Sequence, residues 1–482
     1  MPPSKILGRD DVAHALGLDT LPPSVQPPQI DPDSSETPVG DNAKAQSNLP
    51  VNRQDESPSA LATIQTQFAL INLNGVVWIL DRRRLDAPSN HRMAGQLAFS
   101  TLAQGKLLIK RALAEQFPQA DAKTIAERFV HSPDTTCFDG VEFNPRGTTP
   151  GWLNLWVGPT IVPAAGNPIE VKRFLFETVC RREPPIFQYL VNYLAHALHR
   201  PWEKPGVMII LMGGQGTGKG TFGRILQRIW GATYVHVTNI DNVTGSFNGA
   251  LERSYIVFMD EALFAGNRSA SDRLKSLVTE PVLLINEKHQ PTRQIASYHR
   301  FVVATNAAHL KRTERDDRRD FTLRLSDERR GDFTYWQALH EDIEGDALAA
   351  FVHELLQMDL SEFNVRAKPV TPELIEQKLM SLDAIERWWF DSLQNGSIGE
   401  FGVWPDFIAT TEALEGVSAT PGSRQWKRPI GRELVQIIQL VCPSVRLDQR
   451  RVEGHRQRGL VLPRLDVART EFEAWIGGPI EW

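Results

Sequence analysis

The chain is poor in cysteine: its 482 residues hold three, Cys137, Cys180 and Cys442. They lie too far apart for a zinc-ligand spacing and are too few for a disulfide framework, which fits a reducing compartment and buried or incidental thiols. Long apolar runs are also missing. No stretch approaches the roughly 20 residues that cross a bilayer, and the N-terminus has no signal-peptide core, so no membrane partner is expected and the location is read as cytoplasmic. Nor is there an excess of positive charge. A formal net charge of −5 excludes bulk adhesion to nucleic acid, leaving only local basic surfaces for such contacts.

What is present divides into five regions. Residues 1–60 read as a disordered arm or linker, because the stretch from Leu21 to Ser59 is dense in Pro, Ser, Asp, Gln and Asn and has little apolar surface to bury. Residues 61–200 read as a mixed α+β and helical region. In it, Phe68 to Leu80 carries an Asn-Gly step between apolar runs, a hairpin signature, and Glu170 to Leu198 has apolar residues at helical spacing. His196 and His199 share a face there, but need a third partner to hold a metal. Residues 201–345 alternate short apolar strands with helical stretches, the mark of a parallel α/β sheet. Residues 346–428 read as helical. Residues 429–482 read as a small basic module.

The most informative segment is Gly213-Gly214-Gln215-Gly216-Thr217-Gly218-Lys219-Gly220-Thr221, between the apolar run Val207 to Met212 and the amphipathic stretch Phe222 to Trp230. Strand, glycine loop and helix in that order form a P-loop, in which backbone N–H groups and the helix N-terminus cradle phosphates and the lysine reaches the outer ones. The expected ligand is ATP with Mg²⁺. Gly220 stands where a Ser or Thr usually follows the lysine, so the metal-binding hydroxyl is assigned to Thr221. The Lys-Gly-Thr ending is also compatible with a nucleotide kinase.

Three further motifs follow. Tyr255 to Met259 is an apolar strand that delivers Asp260 and Glu261 at its carboxyl end, where open α/β sheets bind ligands. Asp260 suits Mg²⁺ and Glu261 suits activation of water. Phe301 to Thr305 is another apolar strand, ending in Asn306, whose amide could hold the lytic water or sense the γ phosphate. Arg315, Arg318 and Arg319 then crowd around Asp316 and Asp317.

The order glycine loop, Asp260-Glu261, Asn306, Asp317-Arg318-Arg319 resembles a superfamily 3 helicase, in particular the primase-associated group of phages, plasmids and integrated elements. Asn154-Leu155-Trp156-Val157-Gly158, Phe247-Asn248 and Leu274-Lys275 extend the resemblance over a third to a half of the chain. It implies an AAA+-like motor domain in a hexameric ring within a bacterial host's cytoplasm. ATP would sit between subunits, facing an arginine finger from the neighbour, Arg318 first and Arg319 second. It also implies DNA contact through a hairpin read from Val282 to Phe301, with Lys288 and His289 at its tip. The C-terminal region would be winged-helix-like; Arg424 to Arg469 holds ten Arg and one Lys against four acids, a composition suited to nucleic acid. The metal-binding acids of a primase were not found between Leu61 and Arg200, so a separate primase is an expected partner. The function expected is an ATP-dependent DNA helicase or translocase; the alternatives are an ATP-switched DNA-binding initiator or scaffold and a P-loop nucleotide kinase.

Overall fold

The structure, a computed structural model, describes residues 56–85, 97–260, 268–288, 292–306, 317–398, 402–420, 431–452 and 455–482. The arm expected over residues 1–60 therefore lies almost wholly outside the described residues. Its last five do not belong to it: helix α1 (Glu56–Gln67) begins at Glu56, and Ala60 is fully buried. Ala60 and Ile64, four residues apart, fall on the one inward face, a pattern too short to register within a Pro/Ser-rich composition. No described helix is long and apolar enough to cross a membrane.

The chain forms two compact units that divide after Val157, not near residue 200. In the first, β1 (Phe68–Leu73) and β2 (Val76–Asp81) make the expected antiparallel hairpin. Asn74 and Gly75 link them at positive φ, 53° and 84°, the conformation that matches the twist of the strands it joins. β3 (Phe99–Thr101) pairs with β2, and β4 (Cys137–Phe138) runs parallel to β1. Helices α1, α2 (Leu102–Gln116) and α3 (Ala122–His131) bury Ile64, Ile109, Leu113 and Phe129 against Phe68 and Ile79. A short parallel pair, β5 (Gly140–Glu142) and β6 (Trp152–Asn154), follows.

The second unit is built on a five-stranded parallel sheet. Its strands are β7 (Met208–Met212), β8 (Tyr234–Val237), β9 (Ile256–Asp260), β12 (Arg300–Thr305) and β13 (Asp320–Arg324), in the order β13-β7-β12-β9-β8. β7 and β12 are buried along their whole length, as central parallel strands covered on both faces must be. A separate antiparallel pair, β10 (Val282–Ile285) and β11 (Arg293–Ala296), is inserted before β12.

Residues 158–199 belong to this unit because helix α4 (Pro184–His199) is bonded to the amino end of the sheet. Tyr193 donates to the Val207 carbonyl at 3.1 Å and Tyr255 to that of Ala197 at 3.0 Å. Arg300, at the start of β12, is wholly buried and donates to Tyr255 Oη and His196 Nδ1, both at 2.7 Å. His196 is thus a partner in the core, and His199 meets the Leu355 carbonyl at 3.0 Å. Such contacts between distant segments leave no local sequence pattern.

Beyond the sheet, α5 (Lys219–Trp230) follows β7 and α6 (Phe333–Glu344) follows β13. A further core runs from Ile375 to Ile476, so the C-terminal module starts well before residue 429. It takes in α7 (Ala384–Asn395), β14 (Phe407–Ala409), α8 (Thr410–Ala419), α9 (Gly431–Val441), the hairpin β15 (Arg446–Val452) and β16 (His455–Val461), and α10 (Leu465–Ile476). β16 lies between β14 and β15 and is antiparallel to both. Trp389, Ile408, Leu434, Leu460 and Phe472 meet in the middle.

Buried His299 gives the fold an acid sensitivity. Its Nε2 lies 2.7 Å from the Leu251 carbonyl and must donate, while Nδ1 meets the Ser297 hydroxyl at 2.9 Å, an arrangement that suits the neutral ring. Burial pulls its pKa from 6.5 to about 4. Below pH 6.5 the unfolded chain binds a proton that the native ring refuses, so stability falls as pH drops toward 4, on the order of 2 kcal/mol by pH 5. The thermal midpoint is expected to fall by a few degrees between pH 7.5 and pH 5, and by less in His299→Gln. Equal pH dependence in the two proteins would contradict this account.

Candidate functional site

Strand β7 ends at Met212 and the chain turns through the glycine loop into α5. Gly216 and Gly218 take positive φ, 76° and 100°. At Gly218 a side chain is doubly barred, since a Cβ there would lie 2.7 Å from Trp336 and 2.9 Å from Phe174. Gly220, by contrast, faces open space. The Thr217 hydroxyl donates to the Gly214 carbonyl at 3.0 Å and braces the turn. Lys219 Nζ reaches back to the carbonyls of Gly213 and Gly214 and to Asn306 Oδ1, each at 2.7 Å.

That last contact follows from the sheet. β7 and β12 are adjacent, with Met212 opposite Thr305, so the loop after one strand and the residue after the other emerge side by side. The chain leaves β7 toward β8 on one side and returns past it to β13 on the other. The β7/β12 crevice is therefore the point where connections diverge, the place in an open α/β sheet where ligands bind. A cavity of about 490 Å³ opens there, lined by the loop from Gln215 to Thr221 and by Arg224, Asp260, Asn306, Trp336 and His340. Asp260 Oδ2 also lies 3.6 Å from His236 Nε2.

Three of these residues, Arg224, Trp336 and His340, escaped the sequence reading. Trp336 and His340 lie four apart on α6, with Glu344 four further on, so all three share the face turned to α5. Glu344 holds Arg224 at 2.6 Å and Arg228 at 3.4 Å, and His340 Nε2 lies 3.2 Å from Thr221 Oγ1. Burial, with Arg224 nearby, keeps the His340 pKa below the ordinary histidine value. The 336/340/344 spacing was the available signal; its relation to the loop depends on β13 returning beside β7.

The remaining expected residues separate. Glu261 and His289 lie outside the described residues. Arg318 and Arg319 sit at the amino end of β13, where the Arg319 carbonyl accepts from Met208 N at 2.8 Å. They are thus at the opposite end of the sheet from their own chain's cavity, roughly 13 Å along the strands. Arg318 is exposed there.

The expected hairpin is β10 and β11, with the return strand ending at Ala296; Phe301 belongs to β12 of the main sheet. Lys288 is exposed at its tip, 5.4 Å from the ring centroid of Phe247, itself 51 % exposed. The Asn248 side chain pins the Phe247 loop to the hairpin, donating to the Leu284 carbonyl and accepting from Asn286 N, both at 2.9 Å. In the C-terminal module, α9 and the β15–β16 hairpin border a groove of about 810 Å³. Its polar lining includes Arg432, Gln436, Gln439, Arg456 and Arg458, with no acid among the described lining residues.

The profile of a family of unknown function, DUF5906, matches residues 211–319, the span from the end of β7 to Arg319. A DNA primase-polymerase of Nitratiruptor phage NrS-1 is 32 % identical over 133 residues, 27 % of this chain and 18 % of that protein's length. The chain thus spans under a fifth of this relative. Among solved structures, an apo structure of the NrS-1 C-terminal region (305–718) superposes with a TM-score of 0.61 at 15 % identity, covering 85 % of this chain and 100 % of that one. Another, of the A form, gives 0.58 at 16 % identity, covering 83 % and 98 %. The fold is that of the NrS-1 C-terminal region.

The loop makes opposite demands at two glycines. Gly218→Ala forces a side chain into left-handed backbone, roughly 1–3 kcal/mol, and against Trp336; it should lower the thermal midpoint by several degrees. Gly220→Ser should leave the midpoint within about a degree. The reverse ranking would contradict the loop geometry.

Proposed function

We propose that the chain is an ATP-hydrolysing DNA translocase that works in phage replication, with a P-loop core of the AAA+ type. The observation that carries the reading is the convergence of Lys219 on Asn306 at 2.7 Å, in a cavity that also holds Thr221 and Asp260. A hydroxyl and a carboxylate at the mouth of a phosphate-sized glycine cradle are a donor set suited to Mg²⁺. Thr221 and Asp260 would hold the ion, which when bound would offset phosphate charge.

The chain's own residues supply the rest. The loop N–H groups and the N-terminus of α5 bind the phosphates. Lys219 exchanges its present carbonyl oxygens for phosphate oxygens, which frees the Asn306 amide to orient water. Glu261 accepts the proton of that water. An arginine beside the leaving phosphates is worth 10³–10⁵ in related chemistry. The position of Arg318 at the far end of its own sheet supports delivery to a neighbouring subunit, with Arg319 behind it. Hydrolysis then requires a ring of copies, hexameric by the family resemblance.

For DNA, Lys288 and Phe247 form a cation-and-aromatic pair on the surface, which suits a single strand: the cation meets phosphate and the ring meets base or sugar. His289 is assigned to the same tip. The α9/β15–β16 groove adds a second, cationic surface, and its order of helix, strand, two helices and hairpin supports the winged-helix-like reading. A separate primase remains a proposed partner. The groove also favours one alternative, an initiator that uses ATP only as a switch.

Turnover separates these two. Single-stranded DNA should stimulate ATP hydrolysis by the full chain several-fold, and a Phe247→Ala, Lys288→Ala double variant should lose the stimulation while keeping basal hydrolysis. Hydrolysis indifferent to DNA would remove the translocase reading and leave the switch.

A further inference from the structure

We propose that Trp336 is the platform on which the base of the bound nucleotide stacks, an inference that rests on the nucleotide reading of the glycine loop. The cavity has two kinds of wall. One is the loop with Lys219, Asp260 and Asn306, suited to phosphate and metal; the other is α6, which contributes Trp336 and His340. A nucleoside triphosphate is larger than its phosphates, and its base needs a flat, polarizable surface. Besides the His340 imidazole, Trp336 is the only aromatic ring among the described residues lining the cavity.

The indole is held in place before any ligand arrives. Its Nε1–H donates to the Arg329 carbonyl at 2.9 Å. Phe174 packs on it edge to face, with centroids 6.0 Å apart, and Tyr335 does so at 5.0 Å. Gly218 passes so close that a Cβ there would lie 2.7 Å from Cη2. The ring is nevertheless only half buried. With its one donor already engaged, the indole can offer the ligand only its π surface. Recognition by stacking tolerates either purine, since every base has a π face.

The test titrates the full chain by calorimetry with ATP, GTP and inorganic tripolyphosphate. Trp336→Ala should weaken ATP and GTP alike by roughly ten- to a hundredfold, and leave tripolyphosphate within about twofold. Trp336→Phe should restore most of the nucleotide affinity. An equal loss for tripolyphosphate would show that the indole only braces the loop, and unchanged ATP affinity would show that the base lies elsewhere; either result overturns the proposal. A wild-type chain that binds tripolyphosphate but no nucleotide also overturns it. One that binds none of the three removes the nucleotide reading itself.

Discussion

The parallel pairing of β7 with β12 is the constraint on which the rest of the candidate site depends. Met212 faces Thr305 in that register, so the glycine loop and Asn306 leave the sheet together and Lys219 can span them. A slip of one residue would turn every side chain of β7 to the other face. Two features prevent it: β7 is also bonded on its other edge to β13, with Leu325 N donating to the Met212 carbonyl at 2.8 Å, and both faces of the strand are buried. Behind the site, the buried Arg300 ties the start of β12 to Tyr255 and to His196 of α4. The sheet is thus anchored at its amino end by a polar core and open to ligand at its carboxyl end.

Much of this site was legible because its chemistry is local. Glycine density, an apolar strand before it and an amphipathic helix after it define the loop within a few residues, and the strands that carry Asp260 and Asn306 are short buried runs ending in polar groups. The order of the strands in space is another matter. That β13 returns beside β7, and brings α6 against α5, is set by contacts between segments more than a hundred residues apart. Trp336 and His340 were missed for that reason, although their spacing on one helix face was visible.

Boundaries were less legible than elements. The expected division near residue 200 fell just past the end of α4, whose Tyr193 and His196 bond the sheet's amino end, so the second unit claims everything from Gly158. The C-terminal module likewise extends back to Ile375, because its strand β14 is only three residues long and pairs with β16 some fifty positions later. Composition marked the basic hairpin, but not the helices and strand that complete its core. The Asn74-Gly75 hairpin sits at the other extreme, where two residues and their left-handed backbone specify the turn.

The central claim is that the cavity at the β7/β12 crevice binds and hydrolyses ATP through Lys219. Its most direct test is the rate of phosphate release from ATP by the purified full chain, with and without Mg²⁺, beside a Lys219→Ala variant of matched thermal stability. The account predicts turnover that requires Mg²⁺ and is lost in the variant. Turnover that persists without Lys219, or its absence from the assembled wild-type chain, would contradict it.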